Sequence, residues 1–299
     1  MLADAIRSES YRIIKNRMTM FWSVLFVPLL FVVGGFAYQF ISKARTADIA
    51  EKAALPAELT QSAVNVGDSL TFATGMGANF AVLVFSLVAA ATLYAGDYRW
   101  ETWRLISARN SRLNLMLSKV VVFAILALAG MGLFLIATLL FAFSEALAFS
   151  RPLSFSISGE AVGQAALMGL LSWLRIVQYA MLALLTAAIT RSMLAALFVP
   201  FVIGFAQSLL GGPGLVFLGW NPTMWQTQLL LPGLAFDTLK AAIAPEFAES
   251  FRVAMSPDTP APMRPDDIVV KASLSLALWT LVPLAGALAW FKRQDLSKE

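Results

Sequence analysis

Six long stretches of this 299-residue chain carry no charged side chain, or a single one. They are residues 21–41, 72–95, 120–143, 161–189, 193–210 and 272–291. Each approaches or exceeds the ~20 residues that a helix needs to cross a bilayer core of roughly 30 Å while satisfying its own backbone hydrogen bonds. A sequence built this way has few ways to fold in water. With 59% hydrophobic and 13% charged residues, and a mean hydropathy of +0.74, it lacks the roughly 25% of charge that covers an ordinary soluble domain. The expected fold is an all-α membrane protein, one transmembrane domain over residues 1–299 with six transmembrane helices. Pro200 and Pro283 fall inside the fifth and sixth runs. Neighbouring helices can re-satisfy the backbone groups that a proline frees, so both runs still qualify as spans.

The distribution of bases sets the expected orientation. With the N-terminus inside, segments 1–20, 96–119, 190–192 and 292–299 hold 13 Lys and Arg against 6 acids. Segments 42–71, 144–160 and 211–271 then hold 8 bases against 12 acids. Both termini are therefore expected to be cytoplasmic. The net charge of +4 reads as a topology signal and not as a nucleic-acid footprint. The first apolar run follows Arg7, Arg12, Lys15 and Arg17 but is longer than the ~7–15 residues of a secretory core, so it is expected to be retained as an anchor.

Two flanking regions have their own patterns. In residues 2–18, Leu2, Ile6 and Ile13 recur near helical spacing, with Asp4, Ser8, Arg12 and Lys15 opposite. An interfacial helix over 1–20 fits this pattern, with a disordered basic leader as the alternative. The long outer loop between helices five and six, 211–271, is punctuated by Gly and Pro at both ends. Its apolar stretch 229–236, preceded by Trp220 and Trp225, is too short to span. It is expected to dip into the outer leaflet or to pack on the bundle, either as a cap over a route or as a folded-back surface loop.

The chain has no cysteine and no histidine. Thiol nucleophiles, imidazole bases, disulfides and nitrogen- or sulfur-ligated metal sites are thereby excluded. No Gly-Lys dipeptide occurs, so the phosphate-binding loop G-x-x-x-x-G-K-[ST] is absent. The spans hold no Asp or Glu by which a secondary carrier would couple to ions. The expected catalytic and metal residues are none, and the chain is not expected to be an enzyme.

The informative stretch is 97–119, too polar to span and rich in Trp and Arg. As a helix it places Trp100, Trp103 and, slightly further round, Ser107 on one face, followed by Arg104 and Ala108. Trp and Arg are the residues enriched at protein–protein hot spots. The alternative is a short inner loop whose bases enforce topology while its tryptophans sit at the headgroups.

This stretch, "ETWRLISARNSRLNLMLSK", resembles the cytoplasmic segment after the second span of type-two ABC exporter permeases, the membrane subunits of bacterial ATP-driven exporters. An acid before a threonine, a basic and leucine-rich turn, a Ser-Arg pair and a lysine opening the third span are matched by Glu101 or Asp97, Thr102, Arg104, Leu105, Ser111, Arg112 and Lys119. The ending "FKRQDL" is similar to that family's close after the last span. Arg109, where many members have proline, and Trp103, where a small aliphatic is commoner, depart from the pattern. The resemblance implies a coupling helix that rests on a separate ATP-binding cassette ATPase subunit, with Glu101, Thr102, Arg104 and Arg112 carried over by position as its contacts; Asp97, Trp100 and Trp103 of the same stretch complete the expected coupling residues. It also implies a homodimer or paired permease, no cofactor in this chain (ATP and Mg sit on the partner), contact with membrane lipid, and residence in the bacterial cytoplasmic (inner) membrane.

Two intramembrane features complete the expectations. Arg175, midway along the fourth run, has Gln178 as a helical neighbour. A charge there costs about 2.5–3.5 kcal/mol on insertion scales and faces a cavity or a partner, unless the span is shifted and the side chain snorkels to an interface. In the fifth run Ala196, Pro200, Gly204, Ser208 and Gly212 recur every four residues, a small-residue ridge that suits either a dimer face (Gly204, Ser208, Gly212) or packing within one subunit. Export driven by a partner ATPase is the leading function. The alternatives are a secondary transporter or channel, or a non-transporting membrane anchor or assembly factor.

Overall fold

In the computed structural model the chain is described over residues 2–53, 63–99, 103, 110–244 and 266–294. Six of its helices are long and apolar enough to cross a membrane: Arg17–Lys43, Phe80–Arg99, Arg112–Phe149, Gly159–Thr190, Met193–Gly211 and Ile268–Arg293. This is the architecture of a multi-pass membrane protein. The helix α1 (Leu2–Lys15) precedes a short α2 (Arg17–Met20), a π-helical turn (Phe21–Leu25) and α3 (Phe26–Ala53). A short strand β1 (Val64–Asn65) leads into α4 (Val66–Gly75) and α5 (Phe80–Arg99). The longest helix is α6 (Arg112–Phe149); β2 (Leu153–Ser154) pairs in parallel with β1 and ties two loops together. Then come α7 (Gly159–Thr190), α8 (Met193–Gly211), the short α9 (Pro213–Leu218) and α10 (Trp225–Leu230), α11 (Pro232–Ile243) and α12 (Asp266–Arg293).

Local chemistry explains the boundaries. Ser111, Ser158 and Ser192 each accept a hydrogen bond from a first-turn amide of α6, α7 and α8, satisfying donors that a helix start leaves orphaned. Arg191 takes a left-handed conformation, φ 57°, at the close of α7. With Ser192 it turns the chain back within two residues, so α7 and α8 form a tight hairpin. The expected second span, 72–95, is broken: α4 ends at Gly75 and α5 starts at Phe80. Gly75 and Gly77 weaken the helix there, and Asn79 accepts from the Val82 amide to start a new one. The third span is longer than expected, because 112–119 continues the helix despite its charges. At 38 residues and ~1.5 Å per residue, α6 extends roughly 57 Å and projects beyond a hydrocarbon core.

The centre of the bundle is α7, which packs against α4, α5, α6, α8, α11 and α12. Small side chains bring it close to its neighbours: Ala89, Ala90, Ala91 and Ala95 of α5 and Ala180, Ala183, Ala187 and Ala188 of α7 are buried. Lipid tails are as apolar as leucine, so close backbone approach and hydrogen bonds hold such helices together better than hydrophobicity does. The α8 ridge is used in the same way. Ala196, Pro200 and Gly204 are buried within the chain, and a Cβ on Gly204 would run into the Tyr179 ring. Gly204 thus serves packing inside one subunit, while Ser208 is exposed and Gly212 partly so.

Helix α1 lies along α6. Its buried side chains are Ala5, Glu9 and Ile13, an i, i+4 stripe beside the expected apolar line of Leu2 and Ile6. The segment after α8 folds back on the bundle. Pro232 opens α11, which packs on α12, α7 and α8. Trp279 of α12 donates to the Leu229 carbonyl at 2.7 Å, and Lys271 donates to that of Thr223 at 3.2 Å.

Candidate functional site

Two polar sites stand out, at opposite ends of the bundle. At the end where α5 finishes and α6 begins, four charged side chains from three elements meet. Lys119 Nζ, fully buried, lies 2.5 Å from Asp97 Oδ2 and 3.1 Å from Glu9 Oε1, and donates to the Leu93 carbonyl at 2.8 Å. Arg12 pairs with Glu9 at 2.7 Å and with Asp97. Two acids and two bases alternate, so the cluster is neutral as a whole and its buried members are paired. Burial opposes the charge of Arg12, but hydrogen bonding and attraction from Asp97, with Glu9 adding to it, raise its pKa above the ordinary value.

The same end carries a second tie. Arg112 donates to the carbonyls of Phe291 (3.1 Å), Lys292 (3.3 Å) and Gln294 (2.6 Å), capping the close of α12. Tyr98 donates to Gln294 at 2.9 Å, and Gln294 in turn donates to the Ala188 carbonyl of α7. The Trp103 indole is completely buried, its ring 4.6 Å from that of Phe291 and 5.5 Å from that of Tyr98. Lys119 Nζ lies 5.3 Å from the Trp103 ring centre.

Of the seven residues assigned to coupling, Trp100, Glu101, Thr102 and Arg104 lie outside the described residues. Asp97, Trp103 and Arg112 are described, and all three bind within the chain. Asp97 belongs to the last turns of α5 and not to a loop; its carboxylate turns inward because Lys119 and Arg12 are there to meet it. Sequence reasoning missed Glu9. Its only signal was an acid on the packed side of an amphipathic helix, and its partner lies 110 positions away.

At the opposite end a cavity of about 700 Å³ opens between α5, α7, α8 and α11. Its walls are largely apolar: Phe80 and Phe201 meet with ring centres 5.8 Å apart, and Phe201 stacks over Phe205 at 6.5 Å. Arg175 projects into it from the middle of α7 and is buried at 5% exposure. Its guanidinium donates to Gln178 Oε1 at 2.6 Å and to Tyr179 Oη at 3.4 Å, and lies 4.8 Å from the Tyr179 ring centre. Both hydrogen-bond partners are neutral, and among the described residues Arg175 forms no ion pair. Arg175 and Gln178, expected as translocation-path or intramembrane polar residues, are hydrogen-bonded to each other here.

Asp237 of α11 also lines the cavity. Its carboxyl is exposed to that space yet has protein on most sides, and this burial pushes its pKa up, opposed by Lys240 and Arg175. Gly233, next to the Arg175 guanidinium, keeps α11 close to it: a Cβ there would touch Nη2 at 3.3 Å. Among the described residues no three acids cluster as a metal site would require. Comparison with protein-family models, with curated proteins and with solved structures found no match.

Proposed function

We propose that this chain is the permease subunit of an ATP-driven exporter of the type-two ABC class, working with a separate ATP-binding subunit. The observation that carries the reading is how the segment between α5 and α6 is rooted. On one side stands Asp97, joined to Lys119 and to Glu9 and Arg12 of α1. In the middle stands the buried Trp103, against Phe291 of α12. On the other side stands Arg112, holding the carbonyls that end α12. A force applied to residues 100–109 therefore reaches α1, α5, α6 and α12 together, and α7 through Gln294. A soluble motor that rearranges a membrane domain needs such a stiff attachment. The resemblance of 101–119 to the family's coupling segment, the basic character of this end, and six spans with both termini on the basic side support the same assignment.

In this reading Asp97, Trp103 and Arg112 hold the lever from within, and Trp100, Glu101, Thr102 and Arg104 are its contacts with the ATPase. The basic end faces the cytoplasm of a bacterial inner membrane, α1 lies at the interface, and α9–α11 lie on the outer side. ATP and Mg are handled by the partner, and two permeases pair around the route. Glu101→Arg is expected to lower substrate-linked ATP hydrolysis of the assembled complex about ten-fold, as for loss of an interface hot spot, with membrane insertion intact. Unchanged assembly and turnover would remove this role.

A further inference from the structure

We propose that the cavity between α5, α7, α8 and α11 is a binding site for an amphiphile with a single anionic headgroup and an acyl-type apolar body, the headgroup held by Arg175. The inference goes beyond the permease reading and stands without it. Three observations carry it. The space, about 700 Å³, falls in the ~300–1,000 Å³ range of small-molecule sites. Its walls of Phe80, Phe201, Phe205 and Leu83 suit a hydrocarbon body. Among the described residues the cation that projects into it from the core donates only to neutral partners, Gln178 and Tyr179, while Asp237 attracts it from the cavity wall without forming an ion pair. A buried charge in a membrane-length helix ordinarily has a counter-charge. The salt-bridged cluster at the other end of this molecule shows that the chain supplies one where a charge serves only packing.

Asp237, on the same cavity wall, competes with an incoming anion for Arg175 and limits how tightly it is held. It adds a negative field at the cavity wall, with Lys240 one turn further along α11. A cationic headgroup placed against the Arg175 guanidinium would be repelled. The headgroup chemistry, a single anionic oxygen cluster, is shared by a free carboxylate amphiphile and a phosphate-headed lipid.

The test uses the full-length chain in nanodiscs of zwitterionic phosphatidylcholine, in buffer alkaline enough to ionise a carboxyl. Binding of cis-parinaric acid is read by energy transfer from the protein's tryptophans, and compared with its uncharged methyl ester. The acid should bind about thirty-fold more tightly than the ester. Arg175→Gln should abolish that preference, Arg175→Lys should keep part of it, and Asp237→Asn, which leaves the guanidinium in place, should strengthen acid binding severalfold. Displacement by laurate alone would assign the site to free carboxylates. Displacement by lysophosphatidylglycerol would assign it to phosphate-headed lipids. Equal binding of acid and ester, weakening by Asp237→Asn, or equal displacement by dodecylamine would overturn the proposal. A chain that keeps the acid preference but has no ATPase partner would lose the permease reading and not this one.

Discussion

The two ends of the bundle treat buried charge in opposite ways. Where α1, α5 and α6 meet, Lys119 is wholly buried but touches two carboxylates and a carbonyl, and Arg12 shares those carboxylates. In the cavity at the other end, Arg175 is almost as buried but, among the described residues, its hydrogen-bond partners are an amide oxygen and a phenol, with Asp237 attracting it without an ion pair. A neutral cluster of alternating charges fixes the relative position of three elements. A cation with neutral partners leaves its charge available to something else. Paired charge here serves architecture, and the charge with no contacting carboxylate is the one we assign to binding.

Removing one charge from each end should break this symmetry of burial with very different results. Lys119→Met would leave Glu9 and Asp97 with a shortage of positive charge in the interior, at a cost of about 3 kcal/mol or more. Thermal unfolding in detergent should show a large drop in midpoint. Combining it with Glu9→Leu, Arg12→Met and Asp97→Leu should restore most of the loss, because an apolar replacement of a whole buried ionic cluster is close to neutral. Persistent instability of that quadruple variant would mean that the cluster is not self-contained.

Arg175→Met should give the smallest change. The relief from burying an unpaired cation, about 2.5–3.5 kcal/mol, is set against the loss of charged hydrogen bonds worth about 1.5–3 kcal/mol. Stability should therefore change by between about 0.5 kcal/mol of loss and about 2 kcal/mol of gain. A loss as large as that of Lys119→Met would show that Arg175 is as structural as the opposite cluster, and would erase the contrast.

Much of the fold was legible because hydrophobic length is a strong and local signal: six runs became six membrane-length helices. The errors fall where local signals compete. The run 72–95 is apolar throughout, yet Gly75, Gly77 and Asn79 break it, a break visible in the residues but outvoted by hydropathy. The tract 112–119 is polar yet helical, because Ser111 caps it and Lys119 finds partners. Arg175 could be singled out from sequence, since a lone charge in such a run is conspicuous. The Glu9–Lys119 pairing could not, since nothing in either segment names the other. The small-residue ridge of α8 was visible, but what it packs on, the Tyr179 ring, is a matter of tertiary placement. The cavity itself was invisible, because it is made by α11 folding back beside α7.

If a separate motor grips residues 100–109, a crosslinker placed there will reach it. The chain has no native cysteine, so Arg104→Cys offers a single attachment point for a benzophenone maleimide. In native membranes, illumination is expected to join that position to a subunit bearing a G-x-x-x-x-G-K-[ST] phosphate loop, with a yield that changes when ATP is added. Crosslinks to lipid alone, or labelling of that cysteine from outside sealed cells by an impermeant maleimide, would contradict it.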